Sequence, residues 1–209
     1  MLVTYGLRVG ELTHLLVDDV DFKNGFFQIR SKPELWWYVK TSRDRKLPIL
    51  NEAGEMLREL IGKREAGFVF LEREYATGER DATARAKTPG ALKKLFGREL
   101  DIARDAGMSD DKGLAHHMEG VARTLGKISE KRVRQEFITI TKAIGRPDIT
   151  KPHSLRHVFS TRAQEADVNP LLVQRMLGHA TLEMTGNYTH LGVEAQRRAL
   201  EAITRETNG

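Results

Sequence analysis

Cysteine is absent from all 209 residues. Disulfides and thiolate-held metals are therefore excluded, and the composition fits a reducing compartment. No run of apolar residues approaches the roughly 20 needed to cross a bilayer. No secretory pattern is read at the start, so the expected location is the cytoplasm, with no membrane partner. A complete metal-ligand set is also missing. His116 and His117 are adjacent, so their side chains diverge. His153 and His157 have the spacing of His-Glu-x-x-His, but position 154 is serine where that chemistry needs glutamate. A buried histidine bonded to backbone is the alternative for His157. Neither a metal nor another cofactor is expected.

What is present is basic. The 34 Lys and Arg exceed the 29 Asp and Glu, for a net charge of +5. That balance favours an anionic partner, of which nucleic acid is the usual one. The hydrophobic fraction of 40% and charged fraction of 30% describe a soluble globular chain. Its length suffices for one sizeable core.

The informative stretch runs from His153 to Tyr188. It contains His153, Arg156 three residues on, His179 in Leu-Gly-His, and Tyr188 nine residues later. A phenol has a pKa of about 10 and attacks poorly unless a neighbour takes its proton or stabilises the phenolate. A phosphate under attack gains charge that arginine forks neutralise well. Such chemistry needs a second arginine, a proton donor for the leaving oxygen and nearby imidazoles. The N-terminal segment offers Arg8, with Glu11 three residues later to orient it. A hairpin-like segment offers Lys40.

Periodicity predicts an α+β, mainly helical fold with a small three-stranded antiparallel sheet. Residues 4–17 read as one helix, with Leu7, Leu12, Leu15 and Leu16 inward. Phe26 to Ile29, Leu35 to Val39 and Lys46 to Ile49 read as the three strands, with Lys40 ending the second. Residues 51–65 read as a helix capped by Asn51, with Met56, Leu57, Leu60 and Ile61 inward. Thr88-Pro89 is a helix start, whereas 109–126 shows no clear period. Residues 72–130 read as a surface insertion, a loop or helix pair. Ser129 caps a helix whose stripe is Val133, Phe137, Ile140 and Ile144, and Gly145 ends it. Further helices start near His153 and at Asn169-Pro170, the latter closed by Gly178. Residues 193–205 form a last amphipathic helix.

Five pieces in one order resemble the tyrosine recombinases, or phage-type integrases. They are Thr-Tyr-Gly-Leu-Arg-x-x-Glu-Leu at 4–12, Lys40 with Arg45 to Pro48, His153-x-x-Arg156-His157, Leu177-Gly178-His179, and Tyr188-Thr189-His190. The resemblance covers nearly the whole chain except about 72–130. It implies a site-specific DNA recombinase that cuts and rejoins double-stranded DNA through a 3′-phosphotyrosyl intermediate. Tyr188 would be the nucleophile, Arg8 and Arg156 the phosphate clamp, His179 a third donor, Lys40 the acid for the leaving 5′ oxygen, and His153 an aid to proton movement. Glu11 and His157 would support them, and Arg43, Arg45 and Lys46 would touch backbone phosphates. It further implies four copies on DNA joined through the C-terminal helix, with a monomer in solution. Family members carry an N-terminal clamping domain, so residues 1–209 read as a single catalytic domain without it. The rival readings are a non-catalytic helix-turn-helix-like DNA-binding module and type IB topoisomerase-like strand cleavage.

Overall fold

The first turn of chain is broken by a glycine. In the computed structural model, which describes residues 1–40, 44–178 and 192–205, α1 (Leu2–Tyr5) ends at Gly6 in the left-handed conformation, φ 60°. Helix α2 (Val9–Thr13) begins after Arg8. The single helix expected over residues 4–17 is thus two short ones. A Cβ on Gly6 would lie 2.5 Å from Leu177 Cδ2 and 3.0 Å from Phe159 Cδ1. The chain turns there because only a glycine admits both the dihedral and that close approach. Leu7, Leu12, Leu15 and Leu16 are buried as expected.

The sheet has the order β1-β2-β3, all antiparallel. Strand β1 is Val20–Asp21, β2 Phe26–Ile29 and β3 Arg45–Pro48. Phe27 pairs with Leu47 and Ile29 with Arg45. Side chains alternate across a strand, so Phe27, Ile29, Arg45 and Leu47 point inward while Lys46 is exposed. The expected strand over 35–39 does not form. Pro33 cannot donate to a ladder and opens a 3₁₀ turn, Pro33–Leu35. Trp36 then takes φ 53°, and a bridge from Lys32 to Trp37 is what remains of the pairing.

Two cores follow. The first gathers Tyr5, Leu15, Phe27, Leu47, Leu57, Phe159, Met176, Leu200 and their neighbours. It joins the sheet to α1, α3 (Asn51–Ile61), α8 (Ser154–Glu165), α9 (Pro170–Leu177) and α10 (Val193–Arg205). In α3, Leu50 rather than Asn51 is the cap and Leu60 faces solvent at 39% exposure, while Leu57 and Ile61 are buried. Helix α10 lies on its own chain. Arg197 donates to the carbonyls of Ile49 (2.8 Å) and Gly25 (3.1 Å).

The second core revises the reading of 72–130 as a surface appendage. Short α4 (Arg73–Ala76) precedes α5 (Pro89–Asp105) and α6 (Asp111–Thr124), which pack Leu92, Phe96, Leu100, Leu114 and Met118 against Leu16, Leu35 and Phe68. Each such buried side chain contributes about 1.5–3 kcal/mol, against roughly 0–1 for an exposed ion pair such as Arg80–Glu74. Apolar burial therefore holds this half. Helix α6 has its apolar residues at Leu114, Met118, Val121 and Ala122, a helical spacing masked in the sequence by Gly113, Gly120 and paired histidines. Helix α7 (Glu130–Ala143) is capped by Ser129 and buries Phe137, but Ile140 (58%) and Ile144 (68%) stay exposed. Among the described residues no helix is long and apolar enough to cross a membrane.

The Gly6 turn is testable. In urea denaturation Gly6→Ala is expected to lose about 2–4 kcal/mol, the sum of the left-handed penalty and of overpacking against Leu177 and Phe159. Gly90→Ala, where an added Cβ meets nothing within 4 Å, is expected to be neutral or stabilising.

Candidate active site

The C-terminus of α9 is the focus. A helix leaves its last carbonyls without intrahelical donors and carries partial negative charge there. Asn169 caps the other end, its side chain accepting from Leu171 N, and Gly178 (φ 68°) terminates it. Three arginines from three distant segments converge on the exposed carbonyls. Arg45 Nε donates to Met176 O at 2.7 Å. Arg156 Nη2 donates to Leu177 O at 2.6 Å, and Arg8 Nη1 lies 3.5 Å from the same oxygen.

Each guanidinium has a further partner. Arg156, 5% exposed, donates through Nη1 to Gly6 O at 2.6 Å, the carbonyl at the end of α1. Burial, and next the charge of Arg8, pull its pKa down to about 10, so it remains charged at neutral pH. Arg8 is the N-cap residue of α2. Glu11 closes a capping box with it, accepting from Arg8 N through Oε2 (3.0 Å) and from Arg8 Nη1 through Oε1 (2.9 Å). Arg45 grips the same carboxylate with both Nη atoms, at 3.1 and 2.8 Å. Burial alone would raise the Glu11 pKa. The hydrogen bonds and charge of Arg45, with those of Arg8, overcome this and hold it below the usual carboxylate value. Among the described residues three cations meet one anion here, an excess of two positive charges in a largely buried site. That is an environment for an anion.

The histidines lie at the rim. His153 is the N-cap of α8 and stands one turn before Arg156. Its ring and that of His157 meet edge to face, centroids 5.2 Å apart. Partial burial, then the charges of His157, Arg156, Arg8 and Lys40, lower the His153 pKa. The shift favours its neutral, proton-accepting form. His157 is exposed rather than a buried, backbone-bonded histidine. Lys40 is exposed beyond Val39, whose N donates to Ser31 Oγ (3.1 Å), while Ser31 N donates to Asp44 Oδ1 (2.9 Å). Ser31 thus closes the base of the segment that carries Lys40. Lys46 is exposed, its ammonium 4.3 Å from the Phe26 ring centre.

Arg45 departs from its expected role. It is 8% exposed, and three of its five donors serve Glu11 and Met176. The inward register of β3 turns it away from a phosphate backbone. Its alternation with Leu47 was the signal in the sequence that could have revealed this. Arg43, His179 and Tyr188 lie outside the described residues; His179 directly follows Gly178. Among the other tyrosines, Tyr5 is buried with its hydroxyl accepting from Leu50 N (3.0 Å), and burial pushes its pKa up to about 12. Tyr75 donates to Thr124 O. Neither is free to act as a nucleophile. Among the described residues no group of three or more His, Asp or Glu side chains is arranged to hold a metal.

Glu11 generates a pH-dependent expectation. Its folded pKa lies below the reference value of 4.5, so its contribution to stability is fully present above that pH and is lost as pH falls through the folded value. Glu11→Gln is expected to cost about 3 kcal/mol at pH 7, because it leaves the buried Arg45 and the half-buried Arg8 without a counter-charge. In urea titrations the gap between variant and parent is expected to close as pH is lowered below 4.5.

The model of the phage integrase family matches residues 1–194. The transposase of transposon Tn916 from Enterococcus faecalis is 26% identical, over 99% of this chain and 44% of its own length. Tyrosine recombinase XerA of Pyrococcus furiosus is 24% identical, over 94% of this chain and 50% of its own. XerC of Mycobacterium sp. (strain KMS) is 29% identical, over 94% and 49%. A solved structure of the Tn1549 transposon integrase with circular-intermediate DNA aligns with TM-score 0.43 and 23% identity, over 96% of this chain and 55% of that one. The chain spans about half the length of these curated relatives. With the match running from residue 1, ahead of α1, to residue 194, in the first turn of α10, the chain belongs to the phage integrase family.

Proposed function

We propose that this chain carries the strand-cleaving centre of a tyrosine-type site-specific DNA recombinase. The observation that carries the reading is the meeting of Arg8 and Arg156 at the carbonyl of Leu177. Two arginines 148 residues apart in sequence share one oxygen at a site with excess positive charge. Among the described residues, two of the five Arg156 N–H donors are bonded, to Gly6 O and Leu177 O. Family membership supports the same conclusion.

In this reading the scissile phosphate of double-stranded DNA enters beside Arg8 and Arg156, which neutralise its non-bridging oxygens. His179 adds a donor. The Tyr188 oxygen attacks phosphorus, the bond to the 5′ oxygen breaks, and a 3′-phosphotyrosyl link forms. The phenolic proton passes to the neutral His153, and Lys40 gives a proton to the departing 5′ oxygen. A 5′-hydroxyl from another strand then reverses the step, restoring the phosphodiester and freeing Tyr188. Bond energy is conserved through the link, so no nucleotide hydrolysis is required.

Exchange between two duplexes calls for four copies on DNA. The packing of α10 bears on how they assemble. Leu200 and Ile203 are already buried against this chain's own core, so donating that helix to a neighbour would first expose them. That supports a monomer in solution which assembles on DNA.

The test is covalent trapping. A nicked duplex from the chain's genomic neighbourhood is incubated with the protein without magnesium and run on a denaturing gel. A DNA-linked band is expected with the parent and none with Tyr188→Phe. DNA binding without a band, persisting when a full-length relative's site and clamping domain are supplied, would favour the helix-turn-helix-like module. A band accompanied by relaxation of supercoils and no joining of duplexes would favour topoisomerase-like cleavage.

A further inference from the structure

Arg45 is buried, yet it touches both α2, which carries Arg8, and the end of α9, where the two clamp arginines meet. Its fork holds both oxygens of Glu11. Those oxygens are the ones that hold the backbone N and the side chain of Arg8. Its Nε holds Met176 O, one residue before the carbonyl shared by Arg8 and Arg156. Its guanidinium also covers Gly178: a Cβ there would lie 2.9 Å from Arg45 Nη1. Gly178 must therefore be glycine for two reasons, its φ of 68° and the arginine lying over it. The residue after Gly178 is His179, and five residues before Arg45 is Lys40.

We infer that Arg45 is a positioning residue of the cleavage site: it acts through Glu11 to fix the direction of Arg8, and it does not itself touch phosphate. The inference rests on the proposed cleavage reading. Without the Arg45 fork, the Glu11 carboxylate keeps one strong partner and is free to rotate. Arg8, half-buried and bonded through a single Nη to Glu11, then loses its fixed aim. A shift of about 1 Å in such a group is enough to slow a reaction by roughly 100-fold. A buried ion pair with no other task behaves differently. Replacing both partners by apolar groups of similar size is then neutral or stabilising and leaves the rate per folded molecule unchanged.

A double-variant cycle separates these cases, using the parent, Arg45→Met, Glu11→Met and the combined variant. Stability is read by urea denaturation and the rate of adduct formation at saturating nicked duplex. Both single variants are expected to lose stability, and the combined variant to regain most of it. The rate is expected to fall about 100-fold in Arg45→Met, and to be the same in Glu11→Met and in the combined variant, because Arg45 acts through Glu11. A rate that recovers along with stability overturns the proposal, and so does an Arg45→Met loss that persists undiminished when Glu11 is already gone. Binding of inorganic phosphate, followed by NMR on the same four proteins, needs no cleavage. A roughly tenfold weakening in Arg45→Met (about 1.4 kcal/mol) is expected. If the parent forms no adduct but this weakening is seen, the cleavage reading falls and the positioning role stands. Unchanged phosphate affinity overturns the positioning role whether or not the parent cleaves.

Discussion

The end of α9 and the carboxylate of Glu11 together hold three guanidiniums that would otherwise repel one another. Leu177 and Met176 present carbonyls that their own helix cannot use, and Glu11 supplies the one full negative charge. Remove either and the three cations have no reason to meet. Arg8 is delivered by the break at Gly6, Arg45 by the inward register of β3, and Arg156 by the first turn of α8. Each of these local features makes sense only in relation to that shared end point. Gly6 illustrates the economy of the arrangement, since its dihedral ends α1 and its carbonyl receives Arg156.

The arrangement is unfavourable for stability taken alone. Burying a guanidinium costs several kcal/mol unless its donors are satisfied, and burial, with the charge of Arg8, pulls the pKa of Arg156 down to about 10. The two cores contribute the free energy that makes it tolerable. His14, just after α2, links the site's side to the second core built by α5 and α6: its Nδ1 donates to Gly10 O at 2.8 Å and its ring stacks at 4.5 Å on Trp37, which packs against both cores. Burial, and next the charge of Lys127, take the His14 pKa down to about 3, so it is a neutral strut between the halves.

Much of the site was legible because its spacing is local. Arg8 and Glu11 are three residues apart, as are His153 and Arg156, and an i,i+3 relation survives even when a helix turns out to be two. What could not be read is what depends on distant segments. Nothing near Gly6 in sequence announces that Leu177 and Phe159 will press against it, so one helix was expected where there are two. The burial of Arg45 depends on its pairing with Ile29 and on the arrival of Glu11 from another element. The second core was missed because interior glycines hide the period of α6. The stripe on α7 was over-read, because Ile140 and Ile144 have the right spacing but no neighbour to cover them. The α+β class, strands β2 and β3, and the bounds of α10 were readable from period and turn chemistry alone, whereas β1 was not expected and the strand over 35–39 does not form.

The central claim is that Arg8 and Arg156 form one anion site at the end of α9. Crystals grown without phosphate and soaked in orthovanadate test it most directly. One vanadate is expected beside Leu177, within hydrogen-bonding distance of both guanidiniums, and absent in Arg156→Met crystals. Vanadate bound instead at another basic surface, such as that of Arg85, Lys94 and Arg98 on and beside α5, with none at Leu177, would contradict the account.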